Sequence, residues 1–235
     1  TNASWIGTAF DYAVRWAFSI RYPLARREPQ YWIAEAALLG MAPRSSCHVR
    51  ATTAIAGARA TLERSIGTGR FPDELLKHAM SLAVIDPIFR AGVGHQYVGR
   101  RVLRHEVMEL RRLLRLFPFE QLTPRRCCLL NPILRAAPDV GGADIDLVID
   151  DMILAIKTTT DGTCYREYIN QLLGYYLLAL EAGIDGLPRS SRIRRLGLYL
   201  SRQNHLVVWR IPQFGSAKRF HTARRWFMRE VRRAR

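Results

Sequence analysis

Within GGADIDLVIDDMILAIKTTT, residues 141–160, Asp144 and Asp146 lie before an Asp150-Asp151 pair and Lys157 after it in an otherwise apolar run. If Asp150 and Asp151 form a two-residue hairpin turn, residue 149 faces 152, 148 faces 153, 147 faces 154, 146 faces 155 and 144 faces 157. Side chains alternate across a strand, so Asp144, Asp146, Ala155 and Lys157 share one face. Ile145, Leu147, Ile149, Met152, Leu154 and Ile156 form a core stripe on the other. Directly opposed positions lie ~5 Å apart at Cβ. A carboxylate at 155 would stand beside Asp146, close enough for the two to hold Mg²⁺ or Mn²⁺ through hard oxygen ligands. Lysine beside such an ion could orient an attacking water or stabilise charge on a phosphate in transfer. Position 155, however, is alanine.

The elements that must carry these residues are legible from periodicity. Residues 1–117 read as mostly helical: apolar residues at helical spacing fill 5–20, and Pro72 and Asp73 suit the first turn of a helix over 72–85. A long basic amphipathic helix is expected over 97–117, closed by Pro118. Beyond it a strand over 127–134 precedes the hairpin, and a helix over 165–183 follows. Strands over 194–201 and 205–211 and a basic helix over 219–235 complete the order. That last helix sets Phe220, Ala223, Phe227 and Val231 on one face and arginines on the other. An α/β core over 96–235 with a helical subdomain over 1–95 is the expected organisation.

Composition bounds the function. The net charge is +16, and lysine supplies only positions 77, 157 and 218 of the 36 basic residues. Such an arginine excess suits a polyanionic partner, most simply nucleic acid, whose phosphates release counterions when neutralised. Paired arginines at 111–112, 125–126, 194–195, 224–225 and 232–233 are candidates to line a DNA channel. No apolar run is long enough to span a membrane. The chain begins at Thr1 with no visible signal peptide, so it is expected to be trimmed, and a cytoplasmic protein is expected. Cys47, Cys127, Cys128 and Cys164 make no CxxC pair, which favours buried thiols over zinc or iron–sulfur sites.

The hairpin, followed by QLLGY at 171–175, resembles the PD-(D/E)xK nuclease superfamily and its RecB-like exonuclease branch. The resemblance spans roughly residues 97–210, with Asp146 matching the first acid, Lys157 the lysine, and Gln171 and Tyr175 the Gln-x-x-x-Tyr motif. It implies a restriction-endonuclease-like core: a helix, a three-stranded antiparallel or mixed sheet, a helix and two further strands. It also implies hydrolysis of nucleic-acid phosphodiesters with Mg²⁺ or Mn²⁺, DNA before RNA, in defence against foreign DNA or in DNA processing. Asp146 would bind metal, Lys157 would position water or stabilise charge, and Gln171 and Tyr175 would support substrate and lysine.

The family's second acid falls on Ala155, so the chain as written is expected to bind metal weakly and cut poorly. Three accounts stand. The site is degenerate, or the acid has migrated with Asp144 as the nearest same-face candidate, or the alanine is a deliberate substitution in an otherwise complete site. The retention of Lys157 and Gln171 favours the last. Iron–sulfur members of the branch carry cysteines after the Gln-x-x-x-Tyr helix, and none follows Cys164 here. Upstream, Glu106 and Glu109 are further metal-site candidates, weighed against ordinary pairing with Arg104 or Arg112. His105, a single histidine, reads as surface or core before ligand, and the Ser-Ser-Cys-His run at 45–48 has no third residue pointing to a catalytic thiol. Tyr165, Tyr168 and Tyr175 read as a core stripe. The rivals to a nuclease are a non-catalytic nucleic-acid-binding module on the same fold and an assembly protein meeting an acidic partner. A homo-oligomer also stands open.

Overall fold

The first helix, α1 (Ala3–Arg21), is buried almost all round from Ala9 to Ile20, polar Arg15 and Ser19 included, and it forms the buried centre of a helical unit. The structure is a computed structural model and describes residues 2–23, 26–27, 32–140 and 142–233. The helical unit comprises residues 1–24, 30–117 and 158–160. Asn2 caps α1, its side-chain oxygen accepting the Ser4 N–H at 2.9 Å. In the core of the unit the Tyr12 hydroxyl donates to Asp86 at 2.9 Å and accepts the Ala34 N–H at 3.2 Å. A buried hydroxyl with both partners met ties three segments together without an unsatisfied polar group.

Around α1 lie α2 (Ile33–Ala36), α3 (Ser46–Thr68), α4 (Asp73–Ala83), α5 (Asp86–Ala91) and α6 (Arg104–Leu116). The helix expected from residue 97 begins seven residues later. Gly99 takes a left-handed φ of +84°, which stops helical propagation, and Leu103 is extended. The unit boundary consequently falls after Phe117 and not at 95, because α6 packs on α1 and α4.

The second unit holds residues 25–29, 118–157 and 161–235. Its six-stranded mixed sheet has the order β1 (Arg26–Arg27), β2 (Cys128–Leu130), β3 (Leu147–Ile149), β4 (Met152–Lys157), β5 (Arg195–Leu200) and β6 (His205–Arg210). Only β1/β2 and β4/β5 are parallel. The parallel step from β4 to β5 is bridged by α7 (Arg166–Ala182), as such a step requires. The terminal helix is α8 (Ala217–Arg233); residues 234–235 of the expected helix lie outside the described residues. Val148, Ile153 and Ala155 pack with Leu172 and Tyr176 of α7 and with Phe220 and Met228 of α8 in one apolar cluster.

The expected strand over 127–134 is only three residues long. Asn131 adopts φ +53°, and Pro132 cannot donate to a ladder. Four cysteines are free. Cys128 alone is fully buried, and burial pushes its thiol up to about 12, whereas Cys164 is exposed, contrary to the expectation of buried thiols throughout.

The β3–β4 turn is clasped by its own acid. Asp150, at φ +54°, accepts the backbone N–H groups of Arg125, Arg126 and Cys127 at 2.7–3.2 Å. Partial burial pushes its carboxyl up, but the three N–H groups outweigh that and leave it below the ordinary carboxylate range. A depressed folded-state pKa contributes stability that is complete above the unfolded carboxylate pKa, near 4, and is lost as pH falls through the lower folded value. Asp150→Ala is therefore expected to cost about 1–2 kcal/mol at neutral pH, comparable with losing a helix cap. Urea titrations at pH 7 and pH 3 check it: the gap between the two proteins should narrow at the lower pH.

Candidate functional site

The hairpin register runs 149 with 152, 148 with 153 and 147 with 154, and there the main-chain ladder ends. The expected pairs 146 with 155 and 144 with 157 do not form. Instead the chain before Leu147 leaves β4 and continues its pairing with the segment after β2: the Ile145 N–H donates to Pro132 and Asp144 bridges Ile133. Asp144 is thus paired away from β4 and not opposite Lys157. Ile145 correspondingly leaves the stripe of Leu147 and joins the cluster around Val148.

Asp146 stays at the site by another route. Its carboxylate accepts the Ile156 N–H at 2.7 Å, filling the place where the next main-chain acceptor would have stood. The oxygen therefore sits against the backbone between Ala155 and Lys157. From the end of β4, the Lys157 ammonium donates to Gln171 Oε1 at 2.7 Å and lies 5.4 Å from the Tyr168 ring centre. Gln171 Nε2 in turn donates to the Tyr175 hydroxyl at 2.8 Å. Four-residue spacing on α7 places Gln171 and Tyr175 on one helix face, and the helix follows β4 directly, so the three side chains form one hydrogen-bonded chain. With its side-chain oxygen turned to the lysine, Gln171 fixes the position of the cation.

Ala155 is 1% exposed inside the apolar cluster. Among the described residues no three His, Cys, Asp or Glu side chains gather closely enough to hold a metal ion. One carboxylate, with one oxygen already engaged by Ile156, is a poor donor set for a hard divalent cation that takes six or more oxygens. The residues present do not fit Mg²⁺ or Mn²⁺.

Glu106 and Glu109 belong to α6 in the helical unit. Glu106 is buried and both of its oxygens are occupied: Arg100 donates to one at 2.6 Å and the Leu103 N–H to the other at 2.8 Å. Its partner is a residue six positions upstream and not Arg104 or Arg112, and its task is to cap α6. Glu109, one turn on, is half-buried. Glu106→Gln should destabilise the protein by about 2–4 kcal/mol, because it leaves the Arg100 guanidinium half-buried and unneutralised. Urea denaturation reads this directly, and Arg100→Gln should cost less, since the carboxylate keeps its N–H donor. A Glu106→Gln protein as stable as its parent would return Glu106 to the metal-ligand candidates.

The tyrosine stripe divides. Tyr165 is exposed and donates to Asp161 at 2.7 Å, Tyr168 and Tyr175 are half-buried at the lysine, and Tyr176 takes the core position. Of the paired arginines, Arg111 bonds Asp73, Arg195 bonds Asp151, Arg224 bonds Glu181 and Arg233 bonds Glu230. One member in four of the five pairs is therefore committed within the protein. The Asp150 clasp was missed in the sequence; the doubled aspartate after an apolar run was its only signal.

The fold and site define an α/β domain in which a half-buried acid just before β3 bonds the backbone next to a glutamine-held lysine at the end of β4. Compared with protein families, with curated proteins and with solved structures, the chain matches none. No helix among the described residues is long and apolar enough to cross a membrane.

Proposed function

We propose that the chain is a nuclease-type domain that binds nucleic acid, DNA before RNA, and that phosphodiester hydrolysis is the chemistry its site is built around. The observation that carries the proposal is the Lys157–Gln171–Tyr175 chain beside the Asp146 carboxylate. An ammonium held by a neutral amide keeps its full positive charge available for a phosphate, whereas a carboxylate partner would neutralise it. The net charge of +16 supplies the attraction for the polyanion.

With alanine at 155, the domain binds without efficient turnover. A second reading, a binding module with no catalytic role, is favoured by the near-complete burial of Ala155 among apolar side chains. Installing a carboxylate at 155 and assaying cleavage of DNA with a divalent cation separates the two. Cleavage supports the nuclease reading, and an inert, folded variant supports the module. A role in defence against foreign DNA or in DNA processing accords with either.

A further inference from the structure

The terminal helix carries a disproportionate share of the charge. Six arginines and Lys218 against the single acid Glu230 give α8 six of the sixteen net positive charges of the chain. Its apolar face is spent, with Phe220 and Met228 buried at 9% and 5% exposure in the cluster shared with α7. A bilayer surface needs a free apolar stripe on such a helix, and none is left. On the outer face Arg225, Arg229 and Arg233 recur at i, i+4 and i+8, one row along the helix. A groove of about 520 Å³ opens beside them, lined by Arg224, Arg225, Arg229, Arg232 and Glu181. Glu181 is the one acid among the described residues that line it and is met by Arg224 at 3.5 Å; Glu230, the acid of α8, is met by Arg233 at 3.2 Å.

One side chain does not fit a purely electrostatic surface. Trp226 is 56% exposed, three residues from Arg229 on the same basic face. Indole exposed to water forgoes the burial that its area would otherwise gain. Beside a row of cations it leaves a large π system open to a stacking partner.

We propose that the outer face of α8 binds single-stranded nucleic acid, with Arg225 and Arg229 contacting the backbone and Trp226 stacking on an unpaired base. The proposal rests on the nucleic-acid reading above and adds strandedness to it. A duplex hides its base faces in its own stack, so it can use the arginines but not the indole. An acidic polypeptide can likewise use only the charge.

The test is fluorescence anisotropy at about 50 mM salt with a labelled oligothymidylate of about 20 nucleotides and a duplex of equal length. Trp226→Ala should weaken the single strand by roughly ten-fold, the loss carried by one stacked base, and move the duplex by less than two-fold. Trp226→Phe, which keeps a ring, should recover most of the difference. Arg225→Gln with Arg229→Gln should weaken both ligands. If Trp226→Ala leaves the single strand unchanged, or weakens both forms equally, base stacking is overturned while nucleic-acid binding stands. If poly-glutamate displaces the single strand at equal charge and its binding shows the same Trp226 dependence, the face is a polypeptide site and the proposal fails. If the unsubstituted protein binds neither strand form, the nucleic-acid reading falls together with it.

Discussion

Ala155→Asp is expected to nick plasmid DNA with ~5 mM Mg²⁺ or Mn²⁺ at least ~10²-fold faster than the parent. Ala155→Glu should do the same with a longer reach. The new carboxylate would enter between Asp146, which already lies against the Ile156 N–H, and Lys157, which Gln171 already holds. Position 155 is 1% exposed, so an ionised group there is costly until something neutralises it. The variant should accordingly melt below its parent in EDTA and regain part of the loss when the cation is added, since a ligand that binds only the folded state stabilises it. Adding Asp146→Ala or Lys157→Ala should abolish cleavage; the first should also abolish the cation-dependent melting shift. Asp and Glu variants that remain folded yet inert on both DNA and RNA would show that 155 is not the missing ligand position.

Raising salt from ~50 to ~200 mM should weaken DNA binding on the order of 10³-fold if about six phosphates are contacted, because each releases condensed counterions. The arginines committed to Asp73, Asp151, Glu181 and Glu230 are not fully available for this, so the slope counts the remainder and not the total charge. Filter binding across four salt concentrations measures it. A Kd that does not move with salt would mean that the arginines serve a different partner, such as an acidic protein surface.

Much of the sheet was readable because alternation is a strong signal where one side of a strand is buried. The Asp150–Asp151 turn, the first three pairs of its ladder, and α7 with its Gln-x-x-x-Tyr spacing all follow from side-chain period. The placement of Asp144 was not readable. Alternation across the hairpin assumes that both strands stay paired to their ends, and here the chain before Leu147 keeps its pairing with the β2 side while leaving β4. The partner of Glu106 is hidden for a related reason. Helical spacing points to Arg104 or Arg112, while Arg100 lies in a non-helical stretch whose course depends on Gly99. The edge strand at Arg26–Arg27 carries no periodic signal, being two residues of identical charge. The unit boundary after Phe117 was hidden because α6 looks the same whichever neighbours it packs on.

Asp146 also has an architectural duty. By supplying the acceptor that β3 withdraws when the chain turns away, its carboxylate closes the end of β4. Loss of that oxygen would leave a main-chain donor unmet at the strand end, whether or not any phosphodiester is ever cut. A lineage that abandoned hydrolysis could shed the acid at 155 at once and still be held to the one at 146. An aspartate at 146 therefore has a reason to be present that is independent of any chemistry at the site.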